Sequence, residues 1–418
     1  MKLLIRQATI IHSTYTPTGN KKDILIHNGI IAKIADDIQD PQATILAGKD
    51  LHVSIGWMDI FADFADPGHE YRETLESGAE AAAAGGYTDV MLIPNTKPAL
   101  SEKGQIEYII RKSAALPVTL HPIGCITQQA EGKLLAEMYD MHQSGAIAFS
   151  DGLNPVQHSG ILLKALQYVL ANETTLIQLP QDKSIGAKGL MNEGIMSTRL
   201  GLPGIPAIAE ELMIHRDIEL TRYCNSRLHI TGVSTQKGIE CIAAAKKEGL
   251  CVTCSVTPFH ACFCDEDLAG YDTHLKINPP LRSRQDMMAI RNALAENTVD
   301  CICSQHLPLH SDDKDCEFEY ALPGIAGIET VYGAVSPFLP VTTWVEKITL
   351  NPRKIFGIPI PECKEGAAAT LTVFEPHETY TWQKENTRSK SFNNPFIGKK
   401  LTGKVIAIIN KNQVRINS

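Results

Sequence analysis

Short apolar runs recur through the middle of the chain, each set off by polar or glycine-rich residues. They fall at 53–59, 88–93, 118–123, 146–149, 175–179, 228–230, 251–256 and 300–303. Strands buried on both faces read as continuous apolar runs, and these eight are spaced by helix-length segments. One such segment, 73–84, is alanine-rich, and Gly85-Gly86 ends it before the next run. Eight strands alternating with helices predict an α/β chain built on a (β/α)8 barrel of the TIM type. The ends of the chain have a different texture. Runs at 3–6, 8–12, 23–27 and 30–34, and again at 369–374 and 403–409, read as strands, with turns at 18–20, 28–29 and 410–412. The expected organisation is a small composite β-sandwich module from 1–51 and 352–418 around a barrel domain at 52–351.

In a barrel of this kind, chemistry sits at the C-terminal ends of the strands. The stretch Gly56-Trp-Met-Asp-Ile-Phe-Ala-Asp-Phe-Ala-Asp-Pro-Gly68 reads as the first strand running into a turn. Side chains alternate along a strand, so Asp59, Phe61, Asp63 and Ala65 share one face.

Composition narrows the choice of partner. The 418 residues are 44% hydrophobic and 21% charged, with a net charge of 39 − 47 = −8. That balance argues against nucleic acid or an anionic membrane as partner. No apolar stretch approaches the length of about 18 residues needed to span a bilayer. The opening Met-Lys-Leu-Leu-Ile-Arg-Gln carries no secretion signature, so the expected location is cytoplasmic. Eleven scattered cysteines are expected as reduced thiols. Cys251, Cys254, His260, Cys262 and Cys264 have a spacing that could be taken for a zinc site, but the first two lie in an apolar strand pattern, where cysteine is commonly just buried.

Several motifs in order carry a resemblance. They are Pro94-Asn95-Thr96 after the second strand, Gly201-Leu-Pro-Gly-Ile-Pro-Ala-Ile-Ala-Glu210, Val252-Thr-Cys-Ser-Val-Thr-Pro258, Asn278-Pro-Pro-Leu-Arg282, Gly324-Ile-Ala-Gly-Ile-Glu-Thr330 and Ser389-Lys-Ser-Phe-Asn-Asn-Pro-Phe396. With them the chain resembles the dihydroorotases of the amidohydrolase superfamily over nearly its whole length. The resemblance implies a metal-dependent-hydrolase barrel and the reversible cyclisation of N-carbamoyl-aspartate to dihydroorotate. In that reaction a zinc-bound hydroxide, formed because the metal lowers the pKa of its bound water to about 7, attacks the ring amide.

The family's site positions are where this chain departs. The paired histidines of the first strand are Phe61 and Asp63, and the substrate-gripping arginine is Ala65. The bridging carboxylate after strand four falls on Gly152 beside Asp151. The histidine after strand five is Leu179, and the ligand histidine after strand six is Gly232, though His229 is kept. The catalytic aspartate after strand eight is Gln305, and the substrate histidine that follows is Leu309. An amide has no titrating group near neutral pH, and phenylalanine, leucine and glycine offer no ligand. Asn95, Asn278, Asp151 and His306 are left as a vestigial substrate pocket, or as turn-bracing groups of no catalytic role. A cluster at Asp59, Asp63, Asp66, His69 and Glu70 offers hard-cation ligands, but acids near a helix start are also ordinary capping groups.

The leading expectation is therefore a dihydroorotase-like protein that is catalytically silent, with no catalytic residue, no metal ligand and no cofactor. It would be a homodimer and a structural or regulatory partner, with aspartate carbamoyltransferase implied as one partner by the resemblance. The alternative is an active dihydroorotase or related cyclic-amide hydrolase with a rebuilt metal site on Asp63, Asp151 and a histidine such as His306. A small-molecule sensor using the emptied pocket is a third possibility.

Overall fold

The computed structural model describes residues 2–11 and 21–417. The turn expected at 18–20 and the end of the 8–12 run lie outside them. Eight parallel strands follow one another around a barrel: Trp57–Ala62, Tyr87–Leu92, Thr119–Gly124, Ala148–Phe149, Thr175–Gln178, Leu228–Ile230, Val252–Val256 and Cys301–Ile302. The ring is drawn together where the last strand leaves. The His306 carbonyl accepts the Asp63 N–H at 2.8 Å, and Ala62 bridges to His306.

A second sheet joins the two ends of the chain. Its order runs Gln413–Ile416, Lys400–Asn410, Thr370–Thr381, His52–Ile55, Lys2–Ile11, Lys21–His27, Ile30–Ala35, with Thr44–Leu46 also on Lys2–Ile11. His52–Ile55 is the seam, parallel to the N-terminal strand on one side and antiparallel to the C-terminal one on the other. The run at 53–59 is thus two strands, not one. Gly56 divides them, because a Cβ there would lie 2.0 Å from Thr88 Oγ1 of the neighbouring strand. The chain passes so close to its neighbour that only glycine fits. The runs at 3–6 and 8–12 merge into one strand, Lys2–Ile11, with a register shift near Gln7, whose φ is 48°.

Trp57, the first residue of the barrel, is fully buried and holds barrel and sheet together. Its ring lies edge-on to Tyr87, Tyr332 and Trp344 and tilted against Phe374 of the second sheet, at 5.0–6.2 Å. Its Nε1 donates to Ser54 Oγ at 2.9 Å. Aromatic pairs in this geometry add about 0.5–1.5 kcal/mol each beyond burial. Among the described residues no helix is long and apolar enough to cross a membrane. Trp57→Ala is expected to cost about 3–5 kcal/mol, read as a lowered urea midpoint. A loss below about 1 kcal/mol would show that the cluster is not the joint we take it for.

Candidate functional site at the barrel mouth

Phe61 is buried in an apolar layer inside the barrel with Met58, Met91, Ile123 and Ile177. Two residues along, Asp63 is 4% exposed, and its Oδ1 accepts the Ala65 N–H at 2.7 Å. Burial pushes the Asp63 carboxyl up, against that hydrogen bond and the charges of Arg72, His306 and His69. Asp59 is not free either. It accepts from the Ser304 N–H at 2.6 Å and Ser304 Oγ at 2.8 Å, and burial raises its pKa as well.

The cluster at the following turn does not converge on a cation. Asp66 takes Tyr108 Oη at 2.8 Å and Lys112 Nζ at 2.7 Å, and Glu70 accepts the Gly68 N–H at 2.9 Å. Helix Leu75–Ala84 begins after its N-cap Thr74, so Glu73 stands before it. Glu73 is completely buried and lies 3.6 Å from His306 Nε2, with Ser77 and Ser389 hydroxyls on its oxygens. Burial raises its pKa, but His306 and the two hydroxyls outweigh that and hold it low. Sequence reasoning missed this pair, which has no local signal.

Asp151 sits beneath the mouth and turns its carboxylate toward the preceding loop. It accepts the Ile126 N–H at 2.9 Å, the Thr127 N–H at 2.8 Å and Thr127 Oγ1 at 2.5 Å. Burial lifts its pKa to about 6 despite those bonds. Asn95 spends its amide on the same loop, donating to the Asp151 carbonyl at 3.1 Å and accepting the Leu153 N–H at 2.9 Å. Gly152 has φ 59°, and a Cβ there would meet Asn95 Oδ1 at 1.8 Å, so no carboxylate-bearing side chain fits at 152 as the loop stands.

Leu179 is fully buried, and a Cβ on Gly232 would lie 3.1 Å from its Cδ1, so leucine occupies space beside the glycine. Gln305, at φ 43°, donates to the Asn278 carbonyl at 2.8 Å, and Asn278 donates to Gln181 Oε1 at 3.0 Å. His229 is held between Thr253 Oγ1 and Ser255 Oγ at 2.9 and 3.0 Å. Burial, then the charge of Lys246, depresses its pKa to about 3, so the ring is neutral. His310 lies away from these groups and accepts the Asp312 N–H. Among the described residues no three His, Cys, Asp or Glu side chains gather where they could hold one metal ion. That covers the cysteine cluster, whose His260 is bound to Thr257 Oγ1 and the Pro279 carbonyl. It also covers Asp63, Asp151 and His306, which face different partners.

Comparison with known proteins places the chain among named relatives. The profile described as Dihydro-orotase-like matches residues 52–238. A dihydroorotase of Syntrophus aciditrophicus is 39% identical over 414 residues, covering 97% of both chains. One of Geobacter metallireducens is 40% identical over 410 residues, covering 96% of both. The structure of an L-hydantoinase (dihydropyrimidinase) from Arthrobacter aurescens has the same fold, with a TM-score of 0.83 at 22% identity over 99% of this chain and 95% of that one.

The expectation of no cofactor is corrected by these findings. The relatives are dihydroorotases, which are zinc-dependent enzymes, and a metal-free expectation conflicts with that kinship. The side chains at the mouth do not by themselves fit a zinc ion, which normally takes about three or more protein ligands.

Asp151 supports a pH prediction. It titrates at about 6 folded against an ordinary 3.8, so between those values the folded chain holds more protons than the unfolded one. Its favourable contribution is complete below 3.8 and is lost as pH rises through about 6. Asp151→Asn retains an acceptor for the two N–H groups and a donor for Thr127. The variant is expected to gain stability relative to the parent as pH rises across that window, measured by urea midpoints. A difference that stays flat with pH would refute the assignment.

Proposed function

Because the chain belongs to the dihydroorotase family, hydrolases of cyclic amide bonds, we propose that it too opens or closes a cyclic amide C–N bond, with Asp63 as the titrating group. Two things support the reading. One is likeness to dihydroorotases along 96–97% of the chain. The other, which carries it, is a buried carboxyl of raised pKa at the C-terminal end of the first barrel strand, in the electrostatic reach of Arg72 and His69. A carboxyl displaced toward neutral pH in such a position suits general acid–base work. Ionised Asp63 takes a proton from water as water attacks the ring carbonyl, and returns it to the departing ring nitrogen. In the cyclising direction the same proton moves run in reverse. Gln305 cannot share this role, and its amide is tied to Asn278.

The packing of the mouth favours a second reading. Phe61 and Leu179 put carbon, and Gly232 no side chain, where the resemblance calls for histidines, and Asp151 is committed to the loop at Ile126 and Thr127. On this reading the chain is a non-catalytic member that serves as a homodimeric scaffold or partner subunit, with aspartate carbamoyltransferase as the partner the resemblance implies.

One set of measurements separates the two: dihydroorotate hydrolysis with and without added zinc, together with the metal content of the purified protein. The hydrolase reading expects turnover of roughly 1–1000 per second, reduced at least about 100-fold in Asp63→Asn with the fold intact. Absence of turnover at every metal loading, with co-elution of an added carbamoyltransferase, supports the partner reading instead. Turnover that survives Asp63→Asn removes Asp63 from the role given to it.

A further inference from the structure

Although the chain is acidic overall, one cavity gathers cations. It encloses about 440 Å³ beside the loop that follows the last barrel strand, and Lys314, Lys384, Lys390 and His274 line it. Asp315 is the single carboxylate among its lining residues. None of Phe61, Asp63, Asn95, Leu179 or Gln305 reaches it, although Leu309 forms part of one wall. The volume falls in the range of about 300–1000 Å³ usual for small-molecule sites.

Two features of the lining point to a ligand. The first is buried cationic side chains without an ion pair. Lys314 is 2% exposed and Lys276, next to it, is 5% exposed. Their amines donate only to carbonyls: Lys314 to those of Thr273 and Lys276 at 2.8 and 3.3 Å, Lys276 to those of Phe318 and Glu319 at 2.6 and 3.1 Å. Neither forms an ion pair among the described residues. A buried ammonium with no carboxylate in hydrogen-bond reach is costly, and here burial and the charge of Lys276 bring the Lys314 pKa down to about 7 against the weaker pull of Asp272 and Asp313. Close by, His274 Nδ1 and Arg72 Nε are buried with no hydrogen-bond partner in the protein. An anion in the cavity would offset this unpaired charge.

The second feature is exposed aromatic surface at the same place. Tyr71 is 61% exposed and Phe392 is 40% exposed, and both line the cavity. Lys384 Nζ lies 4.3 Å from the centre of the Phe392 ring, and Arg72 Cζ lies 5.7 Å from that of Tyr71. Flat apolar rings beside lysines suit a ligand with a planar ring at one end and a strong anion at the other, since every base offers a π-face for stacking.

We propose that this cavity binds a nucleoside phosphate, its base against Tyr71 and Phe392 and its phosphate toward Lys384, Lys390 and the buried Lys314. The proposal is independent of which reading of the barrel mouth holds, because the site shares none of the groups that distinguish the two.

Titration calorimetry on the intact protein tests it, with adenosine and uridine monophosphates as probes and inorganic phosphate and the two unphosphorylated nucleosides as controls. At least one nucleotide is expected to bind at least about tenfold more tightly than phosphate or its own nucleoside. Phe392→Ala, and separately Lys384→Ala with Lys390→Ala, are each expected to weaken it by at least about tenfold. These side chains are exposed, and an unchanged thermal midpoint without ligand confirms that the variants fold. Three results overturn the proposal: no saturable binding at millimolar nucleotide, phosphate binding as tightly as nucleotide, or nucleotide binding that the substitutions leave unchanged.

Discussion

The first barrel strand is fastened to the exit of the last by a buried carboxyl, and the mouth is built around that fastening. Asp59 takes both the backbone N–H and the hydroxyl of Ser304, and just beyond it the Asp63 N–H reaches the His306 carbonyl. Removing a carboxylate from water costs several kcal/mol unless hydrogen bonds replace the lost hydration. Asp59 recovers part of that from two donors on one residue, and burial still raises its pKa. The join then sets where the next residues go. Phe61 faces the barrel interior, while Asp63 and Gln305 stand at neighbouring strand ends.

Around this join, packing and polarity are matched. Leu179 lies against the space at Gly232, at the end of the adjoining strand, so a large apolar side chain occupies room that the glycine leaves. Asn95 presses on the backbone at Gly152 and holds Asp151 by its carbonyl, so the Asp151 carboxylate is aimed at Ile126 and Thr127 and not at Asp63. Asp59, Glu73 and Asp151 are each held by two or more fixed donors. The exception is Asp63, which has one backbone donor and otherwise feels only nearby charges.

Much of the barrel was legible in the sequence because parallel strands buried on both faces leave unbroken apolar runs, and all eight runs became strands. The errors arose where a contact distant in sequence decides a local outcome. The division of 53–59 at Gly56 is imposed by Thr88 on another strand. Glu73 looks like part of an alanine-rich helix, yet it is buried against His306 and Ser389, more than 200 and 300 residues away. Asp151 was legible as an acid near a strand end, but which way its carboxylate turns depends on the loop at 126–127. The no-cofactor expectation failed for another reason. It was drawn from the residues at a few positions, whereas the kinship that overturns it is spread along the whole chain.

The distribution of those positions explains how fold and site could diverge. In a (β/α)8 barrel, stability resides mainly in strand bodies, helices and the end opposite the mouth, while loops at the C-terminal ends carry chemistry. At the far end Asp89 is bound by Arg353 at 2.6 Å and His121 at 2.9 Å. These interactions outweigh the upward push of burial and hold its pKa low. This arrangement leaves little to gain from change: removing one partner would strand a buried charge. At the mouth the balance is reversed. Carboxylates gathered there without a partner would repel one another and lose hydration, a penalty that apolar side chains do not carry. The fold that relates this chain to the dihydroorotases rests on the strand bodies and the far end, and depends less on the side chains at the mouth. For the same reason, the likeness of the scaffold and the chemistry of the mouth have to be judged on separate grounds.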